Sequence, residues 1–195
     1  MPRQGLTKEM LVTEAIRQIE ETGLEQFSLR EFAAKLDIKA ASLYNHIKSL
    51  DDLKTEIGLY AIRMLGSALT QAIAGKTHDE AIRAAAAAYR SFTKEHPEIY
   101  SVILKTPKSG DTRLSRESIV MFKPLVEVVG NYGVSDADKT NFIRYFRSAV
   151  HGFASLEQAG FLKDQRVDID ESYNGMIAAL ILTLHGMSDD LKGSN

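Results

Sequence analysis

Cysteine is absent from this chain, so neither a disulfide framework nor a thiolate metal site is open to it. Charge is balanced, with 24 Lys and Arg against 26 Asp and Glu for a net charge of −2. Through Leu50 the balance is seven against seven, which is not the basic footprint of a general nucleic-acid binder. Long hydrophobic runs are also missing. Met176 to Leu184 spans nine residues, while a membrane helix needs about 20. No apolar leader core stands at the N-terminus, so a cytoplasmic protein is expected. Catalytic signatures are lacking too: there is no Gly-rich phosphate loop, nucleophile elbow or paired-carboxylate motif. His78, His96, His151 and His185 never stand four apart on one helix, and no carboxylate accompanies them at ligand spacing. No metal, no cofactor and no enzymatic activity are expected from these residues.

What is present is apolar content of 44%, enough for a substantial core, distributed almost everywhere at helical period. The organising stretch runs from Phe27 to Leu53. Ser28 followed by Glu31 is a capping box that starts a short helix. Leu29, Phe32, Ala33 and Leu36 form one apolar stripe that ends at Leu36-Asp37-Ile38. After this turn, Ala40, Leu43 and Ile47 give a second helix one buried face, leaving Lys39, Ser42, Asn45 and His46 outward and Tyr44 at the edge. Two short helices joined this tightly make a helix-turn-helix, whose second helix fits a DNA major groove. The expected DNA-contacting residues are Ser28, Lys39, Ala40, Ser42, Tyr44, Asn45, His46 and Lys48. Within that set, Tyr44 and Lys48 are assigned to phosphate, and Lys39, Ala40, Ser42 and Asn45 to base edges. Arg3 and Lys8 also fall in segments expected to face DNA.

The order and spacing of Ser28-Leu29-Arg30-Glu31-Phe32-Ala33, Leu43-Tyr44, His46 and Leu53 resemble the tetracycline-repressor-like (TetR) transcription regulators. The resemblance covers about the first quarter of the chain. It departs at Asp37, where that family has Gly, and at Ile47, where it has an aromatic residue or Val. A phosphate-clamping Lys near Leu50 is also missing, and Lys48 stands in for it. More weakly, Tyr89 through Tyr100 and Val150-His151-Gly152-Phe153 resemble the Trp-His-Gly type of C-terminal domain of one branch, with Val150 in the place of Trp. The resemblance implies a DNA-binding head, a small-molecule effector and a homodimer.

Along the chain, Thr7 to Thr22 reads as a first helix closed by Gly23. Its Val12, Ala15, Ile16 and Ile19 should pack on Phe27, Phe32 and Leu43. Ser49 and Asp52 cap a long connector that runs to Ala74. Further helices are expected at about 77–95, 98–104, 113–132 with a kink or break at Pro124, 135–159 and 170–191, with a polar arm at 1–6 and a loop at 106–111. The expected fold is all-α with about nine helices. Residues 1–50 should form the DNA-binding domain and 51–195 an effector-binding and dimerisation domain.

In the second block, Tyr89, Phe92, Tyr100, Phe122, Phe142, Tyr145 and Phe146 are many rings beside many alanines. Large rings next to small residues suit a concave apolar pocket, so these residues are the expected ligand set. Ser148, Gly152, Ser155 and Ala159 make a small-residue stripe, and Met176, Leu180 and Leu184 lie in a helix apolar nearly all round. Both belong to the expected dimer interface. The function expected is a ligand-responsive transcription regulator, a repressor released from operator DNA by a small apolar or aromatic effector. The alternative is a helical ligand sensor without sequence-specific DNA binding.

Overall fold

Several helices start where a side chain satisfies a free amide of the first turn. In the computed structural model, which describes residues 6–105, 111–163 and 166–193, Thr7 Oγ1 accepts from Met10 N at 3.2 Å and opens α1 (Lys8–Thr22). Ser28 Oγ accepts from Glu31 N at 3.3 Å and opens α2 (Leu29–Lys35). Ser49 Oγ accepts from Asp52 N at 3.0 Å at the head of α4 (Leu50–Ile73), and Ser135 does the same for Asp138 N at the head of α9 (Asp136–Gln158). The other helices are α3 (Ala40–Leu43), α5 (His78–Glu95), α6 (Pro97–Lys105), α7 (Thr112–Val120), α8 (Lys123–Gly130) and α10 (Ile169–Gly193), with a 3₁₀ turn at Leu24–Gln26. No strand occurs among the described residues. The all-α expectation is met.

Two expected helices come out differently. The segment expected as one helix over 113–132 is two, α7 and α8, separated at Met121 and Phe122. Pro124 is the cause: its ring cannot follow an unbroken turn and it has no N–H to donate, so it sits instead in the first turn of α8. The second helix of the helix-turn-helix is also shorter than its apolar spacing suggested. It closes after Leu43 and continues as a turn in which His46 N donates to Leu43 O at 2.9 Å. The 106–111 loop lies outside the described residues except for Asp111, whose Oδ1 accepts from Arg113 N at 2.8 Å and caps α7. The 1–6 arm, Arg3 included, lies outside them except for Leu6.

The chain divides into two compact units. The first takes residues up to Met64 together with His96–Ser118, and the second takes Leu65–Glu95 with Ile119 onward. This division does not fall at residue 50, because the start of α4 and the later segment 96–118 join the N-terminal helices.

In the first unit, Val12, Ala15, Ile16 and Ile19 of α1 are buried with Phe27, Phe32 and Leu43, and Leu11, outside the expected stripe, is buried with them. The rings of Phe27 and Phe32 meet at 5.4 Å. Polar links then tie α6 to the α1 end of the unit. Glu98 Oε2 accepts from Leu24 N at 3.0 Å, Lys105 pairs with Glu25 at 3.0 Å, and His96 Nδ1 meets Glu20 Oε1 at 2.8 Å. On α4, Glu56 binds both Lys8 at 2.9 Å and Arg113 at 2.7 Å. Burial pushes the Glu56 carboxyl upward, but those two donors outweigh it and leave it below its ordinary value.

In the second unit α5, α8, α9 and α10 pack around Ile82, Tyr89, Val129, Phe146, Ile177 and Leu184, all buried. Among the described residues, Arg90 is the buried charge in this interior, where Thr93 and Ser188 are also buried. Only 8% exposed, it binds Glu157 through Nε at 2.8 Å and Nη2 at 2.6 Å, and Asp170 through Nη1 at 2.8 Å. Its guanidinium also lies 5.4 Å from the Phe153 ring centre and 4.7 Å from that of Tyr173.

Candidate nucleic-acid interface

The turn between α2 and α3 is made by Asp37, which sits at φ 54° while Ile38 N reaches back to Ala33 O at 3.1 Å. Gly is the usual residue for this left-handed geometry, and Asp is among the few others that tolerate it. The departure at Asp37 thus preserves the turn. Leu43 at 0% and Ile47 at 2% exposure then anchor α3 and the turn after it. Because those two point inward, Lys39, Ala40, Tyr44, Asn45 and Lys48 point to solvent. Tyr44 is 56% exposed, a large ring held in water rather than packed.

Lys48 sits at the entry to α4, its amide donating to Asp52 Oδ2 at 2.9 Å. Its ammonium group is thereby carried beside the first turn of a 24-residue helix, a position suited to a phosphate. Ser42 and His46 are only half exposed, because each lies beside one of the inward anchors. Ser28 is likewise half buried, its hydroxyl already serving the Glu31 amide.

Neutral overall charge conceals how the cations are spent. Arg17 is bound to Glu14 and Glu21, Lys35 to Glu21, and Lys8 to Glu56 with Asp52 at 3.6 Å. Lys8 is therefore engaged within the protein. Among the described residues of this unit, Arg30, Lys39, Lys48 and Arg116 make no ion pair and are exposed, the first three of them in or beside the helix-turn-helix. Arg30 was not among the expected contacts, although its place on the outward side of the Leu29-Phe32-Ala33 stripe could have marked it.

The expected ligand residues differ in their surroundings. Phe122, Phe142 and Phe146 come together, with Phe146 centred 6.5 Å from each of the other two rings. Phe142 and Phe146 are fully buried, and Tyr89, Phe92 and Phe122 nearly so. Tyr100 is buried in the first unit instead. Tyr145 is 45% exposed, because its neighbour Phe146 takes the inward position and consecutive helical residues point about 100° apart. Three described cavities are lined by other side chains: one of about 360 Å³ between α5 and α10, one of about 270 Å³ at the α9–α10 loop, and one of about 290 Å³ beside the 3₁₀ turn and α6.

For the expected dimer face, Ser148 and Ala159 are exposed, and Gly152, Ser155, Met176 and Leu180 half exposed. A side chain added at Gly152 would meet nothing within 4 Å. Ser155 turns its hydroxyl into the protein, without a partner among the described residues. Leu184 is corrected: at 0% exposure it is core, on the same inward side of α10 as Tyr173, Ile177 and Ile181. The outward side instead carries Leu182 at 71% exposure, with Gly175, Ala179 and Gly186 at helical spacing around it. From Ser172 to Ser188 the sequence has no Asp, Glu, Lys or Arg. Leu156 on α9 is exposed as well. Large charge-free surface of this kind marks a site of association.

Two histidines have carboxylate partners that local spacing could not reveal. Besides His96 with Glu20, His185 Nε2 lies 2.9 Å from Asp79 Oδ1, which also accepts from Tyr132 Oη at 2.6 Å. The Tyr132 hydroxyl holds the Asp79 carboxyl below its ordinary range, with His185 adding to the effect.

Residues 82–180 match the family model described as tetracyclin repressor-like, C-terminal domain. An uncharacterised HTH-type transcriptional regulator of Mycobacterium tuberculosis is 31% identical over 179 residues, which cover 90% of this chain and 80% of that protein. A structure of a protein with unknown function from Rhodococcus sp. RHA1 superposes with a TM-score of 0.80 at 20% identity, covering 94% of this chain and 98% of that one. The structure of BioQ with its double-stranded DNA operator gives a TM-score of 0.68 at 22% identity, covering 93% of this chain and 99% of that one.

Proposed function

Because the chain belongs to the tetracycline-repressor-like family of helix-turn-helix transcriptional regulators, we propose that it is a dimeric, cytoplasmic repressor, not an enzyme, which binds an operator and releases it on binding a small-molecule effector. The observation that carries this reading is the outward face of α3 and its following turn. There Lys39, Tyr44, Asn45 and Lys48 stand in solvent while Leu43 and Ile47 hold the backbone from behind. Residues 1–50 act as the DNA-reading domain. Lys39, Ala40 and Asn45 face base edges, with Ser42 at the margin, while Tyr44, Lys48 and Arg30 meet phosphates.

One such head offers few contacts, so two must dock about one DNA turn apart, roughly 34–36 Å. A two-fold pairing of the outward faces of α9 and α10, through Gly152, Ser148, Leu156 and Leu182, supports that arrangement. An effector in the apolar body acts by preferring one spacing of the two heads, since equal affinity for both would shift nothing. A preference of about 3 kcal/mol changes operator occupancy by roughly a hundredfold. Fluorescence anisotropy with the DNA upstream of the protein's own gene tests the reading. Nanomolar, salt-dependent and sequence-selective binding is expected. Binding equal to that of scrambled DNA would favour the sensor without specific DNA contacts.

A further inference from the structure

The alanine run of α5 explains a feature that DNA binding does not use. Ala85 and Ala86 are buried against the body, but Ala87 is exposed, and the alanine side chains at 86 and 87 leave room beside the start of α10. What remains is a groove of about 360 Å³, within the 300–1,000 Å³ range typical of small-molecule sites. Its apolar lining is Ala86, Ala87 and Ile177, and its polar lining includes Arg83, Ser91 and Asn174.

The groove is stiff. Tyr173 Oη donates to Ala86 O at 2.7 Å, tying α10 to α5. Arg90, also in the wall, is clamped by Glu157 and Asp170 and held between the Phe153 and Tyr173 rings. A ligand therefore meets a preformed surface and little ordering opposes its binding.

Charge differs between the two ends, which lie roughly 16 Å apart along α5 from Arg83 to Lys94. At the Lys94 end, Glu157 binds both Arg90 and Lys94, the latter at 3.0 Å, and Asp170 binds Arg90. Those two acids neutralise those two bases. At the other end Arg83 is exposed and makes no ion pair among the described residues. On its own helix, Glu80 three residues earlier is exposed and makes no ion pair with it, and Asp79 one turn earlier is engaged by Tyr132 and His185 and feels the Arg83 charge only as a lesser influence. Asn174 and Ser91 are exposed polar groups of the same groove, Ser91 about 12 Å further along α5 toward Lys94.

We propose that the α5–α10 groove binds a small amphipathic carboxylate, its head at Arg83 with Asn174 and its apolar tail along Ala86, Ala87 and Ile177. This site is separate from the buried Phe122, Phe142 and Phe146 rings, and its occupancy does not depend on operator binding. A guanidinium paired with a carboxylate contributes a charge-assisted hydrogen bond, and the apolar floor selects a chain over a bare inorganic anion.

Octanoate is the probe, with octanol as its neutral counterpart, titrated into the full-length ¹⁵N-labelled protein and followed by amide chemical shifts. Octanoate is expected to shift the Ala87, Ser91 and Asn174 amides saturably, with octanol binding at least tenfold more weakly, as loss of the charged contact requires. Arg83→Gln should weaken octanoate about tenfold and leave octanol unchanged. Ala87→Trp, at an exposed position, should block both by filling the groove. The proposal is overturned if octanoate and octanol bind alike, if Arg83→Gln binds octanoate as the parent does, or if the shifts fall on Phe161 and Val167 at the α9–α10 loop and spare Ala87 and Asn174. Operator affinity measured on the same variants reports separately on the DNA-binding reading.

Discussion

Arg90 and Glu157 face each other with two parallel hydrogen bonds, Nε to Oε2 at 2.8 Å and Nη2 to Oε1 at 2.6 Å, from side chains only 10% and 14% exposed. The guanidinium holds the Glu157 carboxyl below its ordinary 4.5. A carboxylate depressed in the folded state stabilises it at pH values above the unfolded pKa, and that contribution is lost as pH falls through the folded value. Glu157→Gln should therefore cost about 3 kcal/mol at pH 7, at the low end for a broken buried pair because Asp170 and two rings still hold Arg90. The gap from the parent should narrow as pH falls below the ordinary carboxylate value. Urea unfolding at pH 7 and pH 3.5 measures both, and a pH-independent gap would mean that packing, not charge, is lost.

Lys48 is exposed and unpaired among the described residues, beside the first turn of α4. Lys48→Ala should weaken operator and non-operator DNA by similar factors and lower the salt slope by about one. If affinity drops for the operator alone, Lys48 reads a base and the phosphate assignment is wrong.

Asp37 occupies φ 54° in the turn that sets α3 against α2. Asp37→Gly should match or exceed the parent in thermal stability, whereas Asp37→Val should lose about 1–2 kcal/mol, since a β-branched residue resists the left-handed region. Calorimetric midpoints decide it, and equal values for the two variants would contradict the turn's role.

Phe146 at 0% and Tyr145 at 45% exposure are adjacent in sequence and opposite in environment. Phe146→Ala should cost about 3–5 kcal/mol, and Tyr145→Ala less than about 1 kcal/mol. Were Phe146→Ala to keep its stability and gain or lose only effector response, the ring would be the wall of a pocket and not filled core.

Leu182 and Gly152 lie on outward faces of α10 and α9, and Leu184 is inward. Sedimentation velocity should find Leu182→Glu and Gly152→Glu monomeric and Leu184→Ala dimeric but less stable. A dimeric Leu182→Glu protein removes the α10 face from the interface.

The elements were legible because their causes are local. A hydroxyl three residues from the amide it serves at Thr7, Ser28, Ser49 and Ser135, a proline at 124 and an apolar residue every third or fourth place act within one or two turns of chain, and they determined the all-α class and the helix-turn-helix. Adjacent faces of one helix were not separable where two readings differ by one or two positions. Tyr145 or Phe146, Leu182 or Leu184 cannot be told apart on an apolar helix until a neighbour covers one side of it. Partners across the chain were beyond any spacing rule: His96 meets Glu20 from 76 residues away and His185 meets Asp79 from 106. The same holds for Lys8, whose ion pair with Glu56, 48 residues on, no local spacing announces. Local hydrogen bonding and periodicity are written in the order of residues. Which charges are neutralised, which rings are filled around and which faces stay open depend on distances that exist only once the helices have packed.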